Sequence, residues 1–327
     1  MNNVVAIIDS GINTKIIPEK HIVGGTAFTY NSESDSVIET TNFSDDNGHG
    51  TICAQAILRV NPNAKLYIIK ILNQNKLSHS KALIAALNKL KNIDVKFINI
   101  SLTSSNPTYH KQIEKMCKDL YKQNKILLSS CDNRNKDNNY PAILKTVIGV
   151  AGVNTSGIDV FYFDKTQEIQ FGAYNKHLAF KSINNTYELH CGNSIACAFA
   201  TGIASKISET KNNNTFTEMC RTLEKYADTR LVTGAFNHKV VVKKYDQEIL
   251  NQLIDVLMTT FNIDDKKTLF LYPLISKENN FMFHKFNSLV ENLIQTFNIN
   301  FDIDNFRIDV LTSIETLYDY VLYSRTL

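Results

Sequence analysis

Three short segments of the 327-residue sequence carry side chains that together could perform nucleophilic acyl transfer. The first is Asp9-Ser10-Gly11, where a carboxylate follows the apolar run Val4-Val5-Ala6-Ile7-Ile8. A carboxylate at a buried strand end, beside a glycine turn, is held in fixed geometry while it accepts several hydrogen bonds; taken alone, Asp-Ser-Gly is an ordinary turn. The second is Asp46-Asn47-Gly48-His49-Gly50-Thr51, leading into the small apolar stretch 52–57. A histidine heading a helix projects into open space, and glycines on both sides admit a backbone or a substrate at close range. A single histidine is more often structural than catalytic. The third segment is 191–202, where Ser194 heads a helix of small residues. Unpaired N–H groups at such a helix start can stabilise a developing oxyanion. Asp, His and Ser in this chain order supply a nucleophile, its base and the group that orients the base.

These residues need a frame. The continuously apolar, β-branched run 4–8 has the pattern of a strand buried on both faces, and the apolar-rich runs 65–72, 95–102, 125–130 and 146–153 are read in the same way. Helical segments lie between them, for example 81–90 and 109–121. Their alternation predicts an α/β domain, a mainly parallel sheet with helices on both faces. In such sheets the chemistry gathers at the carboxyl ends of the strands, which is where Asp9 falls.

Composition divides the chain. With 43% hydrophobic and 20% charged residues it can bury a sizeable core, and a net charge of +3 makes no case for a nucleic-acid or membrane partner. All 12 glycines lie at or before Gly234, which leaves 93 residues without one. Residues 235–327 hold 9 Lys/Arg against 12 Asp/Glu, net −3, while the remainder is net +6. The six cysteines also precede this boundary and lack zinc-ligand spacing. Two domains are expected, 1–234 and 235–327, with free thiols and no cofactor. No signal-peptide pattern leads the chain, and no apolar stretch approaches the ~18 residues that span a bilayer. A cytoplasmic protein is the expectation.

The three segments resemble those of the subtilisin-like serine peptidases (S8). Asp9-Ser10-Gly11 matches that family's Asp motif, His49-Gly50-Thr51 its His motif, and Gly192-Asn193-Ser194-Ile195-Ala196 its Gly-Thr-Ser-x-Ala motif. Between them, Asn61-Pro62-Asn63-Ala64-Lys65-Leu66-Tyr67 is similar to the approach to the next core strand. Ile98-Asn99-Ile100-Ser101-Leu102 is similar to the strand that pairs with substrate, and Tyr140-Pro141 to a segment farther downstream. The resemblance covers about residues 3–232. It implies a subtilisin-like fold with Asp9, His49 and Ser194 as the catalytic triad and Asn133 in the oxyanion hole. It further implies that Ser101, Leu102, Thr103, Ser130, Cys131 and Asp132 bind substrate, which would lie as an added strand against 101–103.

The departures from the family pattern bear on specificity. Asp132 and Thr103 stand where the family commonly has glycine, near the pocket for the residue before the scissile bond. Thr103 is expected to narrow that pocket; Asp132 either favours a basic side chain or faces solvent on a polar turn. Ala198 replaces a proline after the serine. The short connection 57–60 lacks the loop that carries calcium in secreted relatives, so no metal is expected. Cys191 and Cys197, which flank Ser194, are read as small packing residues. Secreted relatives carry a prosegment, whereas the Asp9 strand begins within a few residues of Met1; a peptidase made without a long inhibitory prosegment is expected.

The glycine-free part reads differently. Ile249, Leu250, Leu253, Ile254, Leu257 and Phe261 recur at helical spacing, and two further stripes follow at 289–297 and 314–321. They predict a small helical bundle. Over about 244–325 the layout resembles an acyl carrier protein, through Phe297-Asn298-Ile299, Phe301-Asp302-Ile303, Leu311-Thr312-Ser313-Ile314 and Asp319-Tyr320-Val321. The position expected to carry the phosphopantetheine serine falls at Phe283, and Ser288 lies too near Phe297. No phosphopantetheine is expected, and the domain reads as a carrier-related docking module.

A subtilase joined to a degenerate carrier-like domain resembles enzymes of bacteriocin-type ribosomal peptide maturation. The expectation is a cytoplasmic serine endopeptidase that removes the leader of a precursor peptide, its C-terminal domain recruiting the precursor or peptide-modifying enzymes. The alternatives are general intracellular proteolysis and a catalytically silent peptide-binding scaffold. Four filled chemical roles argue against the scaffold.

Overall fold

The computed structural model describes residues 4–133, 139–210, 215–228, 245–304 and 306–326. The described residues of Met1–Asn175 and Cys191–Val232 form one compact unit, and those of Lys176–His190 and Thr233–Leu327 form another. The boundary expected between 234 and 235 lies outside the described residues. No helix among them is long and apolar enough to cross a membrane.

In the first unit, β1 (Val4–Asp9) belongs to a nine-stranded sheet with β2 (Ile22–Asn31), β3 (Ser36–Thr40), β4 (Lys65–Lys70), β5 (Phe97–Ile100), β6 (Ile126–Ser130), β7 (Ile148–Val153), β8 (Tyr162–Phe163) and β9 (Phe171–Tyr174). The order is β3-β2-β4-β1-β5-β6-β7-β9-β8. Neighbours run parallel except at the edges, where β3 pairs with β2 and β8 with β9 in antiparallel fashion. The flanking helices are α1 (His49–Val60), α2 (Ser80–Leu90), α3 (His110–Lys122), α4 (Asn193–Thr210) and α5 (Phe216–Tyr226).

Both faces of β1 are covered, which is why its sequence is apolar throughout rather than alternating. Val4, Ala6 and Ile8 join Leu83 and Leu87 of α2 and Ile113 and Leu120 of α3 in one core. Val5 and Ile7, pointing the other way, are also fully buried. There α4 packs on α1 and lies against β5, β6 and β7. Its small residues permit that approach: a Cβ on Gly202 would sit 2.9 Å from the Ile57 carbonyl oxygen. Strand addition reverses at β1, with β4 on one side and β5 on the other. The crevice outside the carboxyl ends at such a reversal is where ligands bind in open α/β sheets. Asp9 and Ser101 stand on its two sides.

The second unit combines the antiparallel hairpin of β10 (Leu178–Lys181) and β11 (Tyr187–His190) with α6 (Gln247–Phe261), α7 (Thr268–Leu271), α8 (Phe286–Phe297) and α9 (Ile314–Ser324). Its core gathers Leu253, Leu257, Phe286, Leu293, Leu317 and Val321 with Ala179 of the hairpin. Asp246 begins α6 by accepting from the Glu248 and Ile249 N–H groups, and Asn262 ends it in the left-handed region at φ 54°. A Ser313–Thr316 capping box opens α9. The hairpin is held by hydrogen bonds as well as by burial. The Tyr187 N–H donates to Asn287 Oδ1 at 2.7 Å, and the Ile308 N–H donates to the His177 carbonyl at 3.3 Å.

Candidate active site

Asp9 closes β1 and is 1% exposed. His49 opens α1, and its Nδ1–H donates to Asp9, with 2.8 Å to Oδ1 and 2.9 Å to Oδ2. That proximity requires the α1 start to lie against the turn after β1. A Cβ on Gly50 would be 2.3 Å from the Gly11 carbonyl oxygen, so any larger residue there forces the two elements apart. Burial disfavours the charged imidazolium, but the Asp9 carboxylate outweighs it, and the His49 pKa stands well above that of an ordinary histidine. The Cys53 thiol sits 3.9 Å from Nδ1; burial pushes its own pKa up, so it stays neutral and supplies no charge.

Asp45, which the sequence reading passed over, organises this corner. It is buried, and its Oδ1 accepts from the Ser10 hydroxyl and from the Asn47 and Gly48 N–H groups. Its Oδ2 accepts from the N–H and hydroxyl of Thr51. The available signal was an aspartate a few residues ahead of a helix, a position that favours local side-chain-to-backbone bonds.

Ser194 lies in the first turn of α4, after Gly192 at φ 129°. Its hydroxyl donates to the Ser101 carbonyl at 3.1 Å, and the Ser101 hydroxyl donates to the Ser194 carbonyl at 3.0 Å. Behind Ser101, the Thr201 hydroxyl donates to Asn99 Oδ1, and Asn99 Nδ2 donates to the Ser101 hydroxyl. This buried chain fixes the nucleophile from beneath. Asn99 and Thr201 carried no sequence signal beyond their place in apolar runs. Asn133 is anchored through Oδ1, which accepts from the Asn193 N–H at 2.9 Å and leaves its Nδ2 donors free to meet an oxyanion.

His49, Ser194 and Asn133 line one cavity of about 510 Å³, together with Ser101, Leu102 and Thr103. Among the described residues, the Ser194 hydroxyl bonds to Ser101 rather than to the His49 ring. Ser130 and Cys131 are buried; Ser130 pairs with Val150 in the sheet, and the Cys131 N–H donates to the Val150 carbonyl. These two and Asp132 are not on the lining of that cavity. Among the described residues, the cluster of ligand atoms close enough to hold a metal is Asp9, His49 and Cys53, within 4.8 Å of one another. A metal there would compete for the Nδ1 that His49 gives to Asp9.

A model of the subtilase family of S8 peptidases matches residues 2–242. The chain belongs to the subtilase family. This subtilase is 25% identical over 218 residues to the minor extracellular protease Epr of Bacillus subtilis (strain 168), covering 63% of this chain and 32% of that protein. It is 26% identical over 213 residues to a thermostable alkaline protease of Halalkalibacterium halodurans, covering 62% and 56% of the two chains. With subtilisin E of Bacillus subtilis (strain 168) it shares 24% over 217 residues, 62% of this chain and 54% of that one. It therefore spans less than two thirds of the length of each of these relatives. Among solved structures it is similar to sphericase, with a TM-score of 0.55, 21% identity, and 68% and 83% of the two chains covered. The fold is subtilisin-like.

Proposed function

We propose that this subtilase is a serine endopeptidase in which His49 takes the proton from Ser194 as the hydroxyl oxygen attacks a peptide carbonyl. Asp9 orients the imidazole and stabilises the imidazolium; Asn133 Nδ2 and the Ser194 N–H receive the oxyanion. The observation that carries this reading is the paired Asp9–His49 bond on one side of a cavity that Ser194 and Asn133 also line. Labelling by a fluorophosphonate probe tests it: the wild type should label at Ser194 and Ser194→Ala should not. Failure of the wild type to label would favour the silent scaffold.

The finer reading is removal of a leader from a ribosomally made precursor peptide in the cytoplasm. Six free thiols support a reducing compartment. The helical unit supports a docking role: Phe283, at the position a carrier protein would give its prosthetic-group serine, is 51% exposed just ahead of α8. That unit would recruit the precursor or the enzymes that modify it. Incubation with a precursor peptide encoded beside the gene should give one cut at the leader boundary, whereas general proteolysis would give many.

A further inference from the structure

β5 and β6 are paired neighbours, in register at Ile100 and Ser129. Past their carboxyl ends run 101–103 and 131–132, and the nucleophile turn bonds to both. Ser194 Oγ donates to the Ser101 carbonyl at 3.1 Å, and Asn193 Nδ2 donates to the Asp132 carbonyl at 3.1 Å. An acyl group on Ser194 with its oxygen toward Asn133 has the gap between these two segments beside it. Across that gap the Thr103 hydroxyl donates to Asp132 Oδ2 at 3.2 Å. The Asp132 main chain is pinned as well, because its N–H donates to Asn139 Oδ1 at 2.9 Å. The carboxylate cannot withdraw by a simple shift of its peptide. The open volume lies to the other side, where Leu72, Leu77, Leu83 and Leu102 line the cavity and Asp132 does not.

We propose that the Thr103–Asp132 bridge closes the subsite beside Ser194 to large side chains, so that this subtilase cuts after small residues such as glycine, alanine or serine. The inference rests on the peptidase reading above and adds a substrate class to it. A large apolar side chain could enter only by breaking the bridge and displacing a hydrogen-bonded carboxylate, which costs more than burying the extra methylene groups would gain. The bridge acts here as a lid, not as a counter-charge.

The test is a peptide series identical except for the residue before the scissile bond, carrying Gly, Ala, Ser, Leu, Phe or Arg, read as kcat/KM beside fluorophosphonate labelling. The wild type should prefer Ala over Phe by about 10–100-fold, the range a pocket of fixed shape achieves. Thr103→Gly with Asp132→Gly should raise the Phe rate and erase most of that preference. Asp132→Asn, which keeps shape and acceptor but removes charge, should retain it and guards against a folding defect in the glycine variant. Equal rates for Ala and Phe in the wild type would overturn the proposal. So would a preference for Arg that Asp132→Asn abolishes, since the carboxylate would then be a counter-charge. A wild type that neither labels nor cleaves refutes the peptidase reading itself; one that labels and cleaves without discrimination refutes only the lid.

Discussion

The Ser10 hydroxyl donates to Asp45 Oδ1 at 2.8 Å and accepts from the Gly50 N–H at 2.9 Å, which ties the end of the Asp9 strand to the start of the His49 helix. Geometry at the Asp9–His49 pair is thus set by neighbours rather than by the pair alone. Hydrogen bonds hold the Asp45 carboxyl below its usual range against the opposing effect of burial. Replacement by alanine leaves several buried donors unmatched and should destabilise the first unit by about 3 kcal/mol. Urea unfolding measures this, and kcat should fall more than KM rises because His49 loses its placement. A carboxyl with a lowered pKa adds stability above its unfolded value and loses it as pH drops through the folded one. The gap between wild type and Asp45→Ala should therefore shrink in acid.

The raised pKa of His49 sets the pH dependence of turnover. Below that ionisation the ring is already an imidazolium and cannot take the Ser194 proton, so kcat/KM should rise with pH through a midpoint well above that of an ordinary histidine. Asp9→Asn removes the carboxylate that holds the ring's pKa up, while burial, which moves it the other way, remains. The midpoint should fall while the rate drops by about 10⁴. The same linkage governs stability: the pair contributes most at low pH, below the unfolded histidine pKa, and its contribution fades as pH climbs through the folded value. Melting curves of wild type and Asp9→Asn across that range should converge at alkaline pH.

Asn133→Ala removes the Nδ2 donors and leaves the Asn193 N–H without its acceptor. Turnover should decrease by about 10²–10³ with little change in KM, because the lost bond forms with the oxyanion and not with the bound peptide. Steady-state kinetics on a cleaved peptide separates the two constants.

Gly50→Ala places a methyl group 2.3 Å from the Gly11 carbonyl oxygen; the methyl carbon is fixed by its own backbone and the oxygen is main chain, so neither can rotate away. Overpacking of this kind typically costs about 1–3 kcal/mol. The variant should melt earlier and lose the Asp9–His49 hydrogen bond, visible as loss of the downfield imidazole proton in an NMR spectrum.

Much of this was legible in the chain. Runs such as 65–72 and 125–130 are rich in apolar residues, and the elements there are β4 and β6; every residue of β6 is buried because both faces of the sheet are covered there. Stripes from Ile249 and Leu289 became α6 and α8, since one face of each meets the core. Less legible were β3, whose edge position leaves most of its residues exposed, and β2 beside it, whose Gly24-Gly25 pair breaks the strand pattern. Asp45 and Asn99 escaped notice for another reason: a buried polar residue looks like any surface one until its partners, distant in the chain, are known. The same holds for Thr103 and Asp132, whose joint effect depends on a bond across two strands.

The hairpin of β10 and β11 leads into Cys191-Gly192, directly ahead of the nucleophile turn, yet Ala179, Tyr187 and Leu189 on one of its faces belong with the core made by α6, α8 and α9. Translation delivers these pieces out of step. At roughly 5–20 residues per second the hairpin emerges several seconds before the helices that cover it. A nascent chain therefore possesses Asp9, His49 and Ser194 before Ala179, Tyr187 and Leu189 have their core to pack on. Helix α9 completes the surroundings of a segment made long before it, so loss of α9 would reach back into the middle of the sequence. Fusions or cuts intended to isolate the peptidase part must treat residues 176–190 as the property of the tail.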